Sequence, residues 1–165
     1  AQTAEIADGW LPLLYTPRMA DQYNEWLDEG FARQGARRSR DDFEIAATCQ
    51  IIVTDDRDAE IEKLKPLIAL YVGGMGAPEL NFHAQVYRRM GYDAEVAEIG
   101  RLFQEGKKAE AAAVVPAEMV AETMIIGDEA RVRSEIDVWA AAGVTMLLVS
   151  CRDADAVRTV AALIG

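Results

Sequence analysis

Three of the chain's twelve glycines, Gly73, Gly74 and Gly76, fall within four residues of the stretch ALYVGGMGAPELNFH, Ala69 to His83. Such a cluster can cradle a phosphate, because backbone N–H groups approach an anion closely where no Cβ intervenes. The spacing argues against that use. Glu79 stands where GxGxxG needs its third glycine, a helical pattern rather than a strand precedes the run, and no GK[ST] occurs. A helix end followed by a flexible loop accounts for the glycines instead, since consecutive Gly reach positive φ at little cost. His83 is the only histidine, so a Ser-His-Asp triad or a zinc site would have to be built on it, and nothing spaced like HExxH accompanies it. It reads as a helix-entry residue or as a substrate contact. Cys49 and Cys151 lie in apolar runs without CxxC spacing and read as small core residues. Most carboxylates sit on helix faces; Glu44, early in a strand, is the exception. Trp10, Pro12 and Tyr15 mark a strand and its exit, where α/β proteins place ligands, with core packing the competing reading for Trp10.

The elements that would position these residues follow from the apolar pattern. DGWLPLLY (Asp8 to Tyr15) predicts a strand buried on both faces. Thr16 then caps a helix with Pro17 at its first position, running to about Gly35. FEIAATCQIIVT (Phe43 to Thr54), rich in β-branched residues, predicts the second strand, ended by Asp55 and Asp56 at the next helix. That helix carries Ile61, Leu64, Leu67, Ile68 and Tyr71 at spacings of three and four and stops at Gly73. Further helices are expected over His83 to Met90, Ala94 to Glu105, Pro116 to about Ile126, and from a cap at Asp128 to Gly143. VTMLLVSC (Val144 to Cys151) predicts a third strand, and Ala154 to Ile164 a last helix.

Strands alternating with helices predict parallel pairing. The connection from the second to the third strand spans roughly ninety residues, far beyond an ordinary crossover, so most of it reads as an insertion, and insertions at strand ends usually serve a site. Three buried-type strands would leave two apolar edges unpaired. The opening AQTAEIA reads as the tail of a helix whose beginning is missing, so the expectation is a fragment of a larger sheet.

Charge and composition narrow the function classes. Seventeen basic against 28 acidic residues give a net charge of −11, which would repel a nucleic-acid backbone. A mean hydropathy near zero predicts a globular domain, and no apolar run approaches the ~20 residues of a bilayer span. No membrane partner is expected, and two scattered cysteines suit a reducing cytoplasm.

Taken in order, AEIADGWLP, FEIAATCQIIVTDD, ALYVGGMGAPELNFH, RRMGYDAEVAEIGRLFQEGKKAEAAAVVPAEMV and GDEARVRSEIDVWAAAGVTMLLVS resemble the C-terminal half of the luciferase-like monooxygenase superfamily. The branch they are most similar to is the actinobacterial oxidoreductases using coenzyme F420 or FMN; NFH replaces that family's usual NFY. The resemblance covers essentially the whole chain. It implies the C-terminal part of a TIM (β/α)8 barrel, the three strands being the sixth to eighth, with residues 55–126 as a helical insertion over the barrel mouth and the N-terminal half absent. It further implies F420, or alternatively FMN, as cofactor with no metal, a small organic substrate, and a chain inactive without its other half. By position, the pocket wall would come from Leu13, Tyr15 and Thr16 leaving the sixth strand, Cys49 and Gln50 along the seventh, and Met75, Asn81, Phe82 and His83 on the insertion. No catalytic residue is assigned. Arg18 is the only cation where the sugar-phosphate branch keeps basic residues, so a phosphorylated sugar is not expected. The competing reading is a cofactor-free half-barrel module that self-associates, as a homodimer, through its open strand edges.

Overall fold

Among the residues described in the computed structural model, 1–77 and 79–164, a parallel four-stranded sheet is flanked by helices. In chain order the elements are α1 (Gln2–Ile6), β1 (Gly9–Trp10), α2 (Ala20–Phe31), β2 (Glu44–Val53), α3 (Arg57–Gly74), α4 (Phe82–Arg89), α5 (Asp93–Gln104), α6 (Lys108–Ala113), α7 (Ala117–Ala121), β3 (Met124–Gly127), α8 (Glu129–Ala141), β4 (Met146–Ser150) and α9 (Ala154–Ile164). The expected parallel α/β arrangement is present, with boundaries at α3 and α8 set by caps: Asp56 accepts from the Ala59 N–H and Asp128 from the Arg131 N–H.

Three expectations are corrected. The strand predicted over Asp8 to Tyr15 is extended and paired only at Gly9–Trp10. Pro12 has no N–H to give a ladder, and Leu14 turns the chain out of extended geometry with φ +53°. The helix predicted over Pro116 to Ile126 ends at Ala121, and Met124–Gly127 forms a fourth strand, so the stretch 55–126 is not purely helical. Gly73 and Gly74 do not form a flexible turn. They lie in the last turn of α3, where a Cβ on Gly73 would stand 2.5 Å from Phe103 Cβ and one on Gly74 2.6 Å from Phe103 Cε1. Their bareness lets α5 close on α3; only Gly76, with φ +90°, occupies the left-handed region.

All pairing runs through β2. Its register joins Glu44 to Gly9 in β1, Gln50 to Met124 in β3, and Ala46 to Met146 in β4. Backbone groups of successive residues point to opposite edges of a strand. The Glu44 N–H donates to Asp8 O and the Thr54 N–H to Gly127 O, whereas Ile45 O accepts from the Thr145 N–H. So β1 and β3 share one edge of β2, at its two ends, and β4 takes the other.

The two faces of β2 differ sharply. Ile45, Ala47, Cys49 and Ile51 are buried in one core with Trp139, Val132, Val160 and Leu163 from α8 and α9. On the opposite face Glu44 and Thr48 are exposed and Ala46 and Gln50 half-buried, and their β4 neighbours Met146 and Leu148 remain 43% and 40% exposed. Only the C-terminal end of that face is covered: Ile52 and Ile126 join a second core built from Ile61, Ile68 and Val72 of α3, Tyr87 of α4, Ile99 of α5 and Met119 of α7. The helices between β2 and β3 therefore roof one end of an otherwise open sheet face.

Candidate functional site

Where that roof meets the exit of β1, a cavity of about 260 Å³ opens. Leu67, Ile68 and Tyr71 contribute one face of α3, and His83 and Tyr87, four residues apart, stand one turn above another on α4. Leu13 and Leu14 close it from the loop after β1, and Thr123 and Met124 from the start of β3. The Tyr71 and His83 rings meet at 4.5 Å. Asn81 fixes this geometry. Its side chain accepts from the Ala84 N–H as the cap of α4 and donates to the carbonyls of Tyr71 and Val72, at 2.8 Å each, tying α4 to the end of α3.

The wall is apolar, and three of the residues that line it each carry a buried side-chain atom without a hydrogen-bond partner: His83 Nδ1, Tyr87 Oη and Thr123 Oγ1. Each such group costs about 1–3 kcal/mol when left unpaired. Burial holds the His83 imidazole below its ordinary value, keeping it neutral, and pushes the Tyr87 phenol up. The neighbouring Thr123 hydroxyl tempers the second shift without the pair reaching hydrogen-bond geometry. Leu14, on the same wall, is the one non-glycine residue with positive φ among those described. Strain and unsatisfied polarity thus accumulate at one place, a pattern that folding alone does not favour and ligand sites tolerate.

Beside the cavity lies a satisfied polar cluster. Glu122, its side chain only 10% exposed, accepts from Thr16 Oγ1 at 2.9 Å and Tyr92 Oη at 3.0 Å and pairs with Arg18 at 2.8 Å. Arg18 also donates to Met90 O and lies 5.3 Å over the Tyr92 ring. Desolvation, then the bond to Glu122, pushes the Tyr92 phenol up to about 12. The cluster latches the segment after β1 to the roof, and Arg18 is committed to it.

The residues expected from sequence separate. Leu13 and His83 line the cavity; Leu13 also lines an adjoining hollow of about 290 Å³ with Phe82, which is 70% exposed. Gln50 is on the open sheet face. Cys49, its neighbour, is not: successive strand residues point to opposite faces, and Cys49 is buried against the helices, its thiol pushed up to about 12 by burial. Tyr15 is likewise in the helix-side core, donating to Ala142 O at 2.7 Å, its phenol pushed up to about 12 by burial. Thr16 is buried in the Glu122 cluster, Asn81 has the structural role above, and Met75 is half-exposed beyond α3. Tyr71, Tyr87 and Thr123 were not singled out. The i, i+4 spacing from His83 would have found Tyr87; nothing local marks Thr123.

Residues 1–146 match the model of a family described as luciferase-like monooxygenase. The chain is 59% identical over 164 residues to a Mycobacterium tuberculosis protein whose name carries a provisional assignment as a coenzyme F420-dependent oxidoreductase; the match covers 99% of this chain and 47% of that one. It is 32% identical over 146 residues to the 5,10-methylenetetrahydromethanopterin reductase of Methanopyrus kandleri, covering 88% of this chain and 39% of the reductase. The solved structure of a coenzyme F420-dependent tetrahydromethanopterin reductase from that organism superposes with a TM-score of 0.72 at 26% identity, over 96% of this chain and 44% of that one. An F420-dependent secondary alcohol dehydrogenase, seen with an F420–acetone adduct, shares the fold at a TM-score of 0.56 and 13% identity, over 95% of this chain and 41% of that one. The chain spans less than half the length of the curated relatives it matches.

Proposed function

Because the chain belongs to the luciferase-like monooxygenase family, we propose that it acts within an F420-dependent oxidoreductase of a small organic substrate, forming the C-terminal part of a TIM barrel. In this reading β1, β2 and β4 are the sixth, seventh and eighth barrel strands, and the open face of β2 and β4 looks into the barrel. The chain works only when the remaining strands complete that barrel, by association along the free edges that β1 and β4 present. The observation that carries the reading is the roofed cavity at the C-terminal end of the sheet, the end at which this fold places its chemistry.

The residues present fit one part of such a cofactor. Gln50 and Ser150 on the open face, with the apolar wall of Leu13, Leu67 and Met124 beyond, suit a neutral ring system and the substrate laid against it. They do not suit an anionic tail, since Arg18 is spent on Glu122. When bound, a deazaflavin supplies the hydride chemistry. This chain's own residues exclude water through the roof of α3 and α4, hold the rim through the Glu122 cluster, and set the apolar and aromatic wall around Tyr71 and His83 against the substrate. FMN is the alternative cofactor. Fluorescence titration of the completed barrel, this chain together with the remaining strands, with F420 and FMN tests the reading: saturable binding of F420 is expected, and binding of neither would end it.

A further inference from the structure

The open face of β2 and β4 carries a single charge. Glu44 begins β2 and shares that face with Ala46, Thr48 and Gln50, beside Met146, Leu148 and Ser150 of β4. Its side chain is exposed and meets no cation among the described residues. The arginines of the loop ahead of β2 are engaged elsewhere: Arg33 with Glu5 and Glu29, Arg37 and Arg38 with Asp8, and Arg40 with Asp28. The neighbouring position on β1 is Gly9, where a Cβ would stand 2.7 Å from Glu44 O and 3.1 Å from Glu44 Cβ. So β1 closes on β2 without a side chain next to the carboxylate, and Ala46, the next residue on the face, is small. The two leave a recess beside Glu44 that a side chain from elsewhere can enter.

In the barrel reading this face looks inward, and the inward positions of such a barrel are packed by side chains from its other strands. A carboxylate enclosed there without a counter-charge is strongly unfavourable. We infer that Glu44 is one half of an ion pair inside the barrel, its counterpart a Lys or Arg pointing inward from the strands that complete it, and that this pair selects those strands over a second copy of the chain. The inference deepens the proposed function and rests on its barrel. Charge decides between the two occupants. Two copies closing on one another would bring two Glu44 carboxylates into one interior whose other face positions here are neutral, and each copy adds a net charge of −11. A complementary set of strands needs one inward cation. The matches cover 47% and 39% of the two curated relatives, which leaves more than half of each to carry such strands. Glu44 lies at the end of β2 away from the roof, so the pair stands apart from the cavity.

The test uses the completed barrel as one polypeptide, unfolded in urea. Glu44→Gln, which keeps the shape and removes the charge, should lower the folding equilibrium constant about a hundredfold or more, as expected when a buried pair loses one partner. Glu44→Lys should be worse still, and reversing one inward Lys or Arg of the completing strands to Glu should restore it; a merely structural glutamate would gain nothing from that exchange. Wild-type stability of Glu44→Gln, or failure of every such reversal to rescue Glu44→Lys, overturns the inference. So does sedimentation of this chain alone as a dimer that persists in Glu44→Lys, since a second copy would then cover the face. F420 titrated into the same barrels separates the two readings. F420 binding with Glu44→Gln as stable as wild type overturns only the ion pair. Charge-swap rescue in a barrel that binds neither F420 nor FMN sustains the pair and overturns the oxidoreductase reading.

Discussion

Gly73→Ala sets a known gain against a cost visible in the packing. In a helix interior alanine is favoured over glycine by about 0.8–1.0 kcal/mol, so propensity alone would stabilise α3. The added methyl, however, would stand 2.5 Å from Phe103 Cβ and 2.8 Å from Phe103 Cγ. Cβ is anchored to the backbone of α5 and cannot rotate aside, so the two helices must part by the better part of an ångström. Overpacking of this kind costs about 1–3 kcal/mol, and a clash with an atom that cannot move aside belongs to the upper half of that range, which leaves a net destabilisation of about 1–2 kcal/mol. Gly100, inside α5 with nothing within 4 Å of its would-be Cβ, is the control, and Gly100→Ala should stabilise by about 0.5–1 kcal/mol. Urea denaturation of the two variants beside wild type, with m-values compared, reads both effects. If Gly73→Ala is neutral or stabilising while Gly100→Ala behaves as stated, α3 and α5 are not held at this spacing and the account of the glycine pair is wrong.

Tyr87→Phe and Thr123→Val each remove an unpaired buried hydroxyl, so both should raise ligand-free stability by about 1 kcal/mol, read as an increase in melting temperature; a fall would mean the hydroxyls are paired in the folded protein. Glu122→Ala strips partners from Thr16, Tyr92 and Arg18 and should cost about 2–3 kcal/mol in denaturant, less than a fully buried pair because Arg18 is half-exposed. Glu122→Gln, which keeps hydrogen-bonding capacity, should fall between it and wild type. The His83 imidazole has its folded pKa lowered from 6.5 by burial, so between its folded and unfolded values the unfolded chain holds more protons. Its stabilising contribution is complete above the ordinary imidazole range and declines as pH falls through 6.5. Relative to His83→Asn, wild type should therefore lose stability from about pH 8 to about pH 5, and a relative gain on acidification would contradict the burial.

How much of this was legible depended on how far each feature's cause lay along the chain. β2 announced itself through Ile51, Ile52 and Val53 and its buried alternation, and α3 and α8 through capping aspartates. Met124–Gly127 did not, because Ala117 to Ala121 before it is helix-forming and the strand exists only through pairing with Gln50–Val53, seventy residues earlier. The glycine pair looked like a turn since φ freedom is the local meaning of Gly; its actual partner, Phe103, is remote in sequence. At the site, His83 stood out as the lone histidine, whereas Thr123 gains its role from arriving beside Tyr87. Cys49 and Gln50 could have been told apart from sequence, since a strand's period of two forbids both from facing one pocket.

The latch at Glu122 also bears on the order of assembly. Thr16 and Glu122 are 106 residues apart, whereas α3 packs on α4, α5, α6 and α7 within a continuous run of chain. Closing a loop that long pays its entropy before any contact returns it, while the short-range helix contacts can form first. The roof then takes shape as a unit and is fastened to the segment after β1 last, so the cavity between them is a late product of folding. Loss of the latch should consequently show itself as faster unfolding at nearly constant folding rate in the Glu122→Ala chevron, and a slowed folding limb would place the closure early instead.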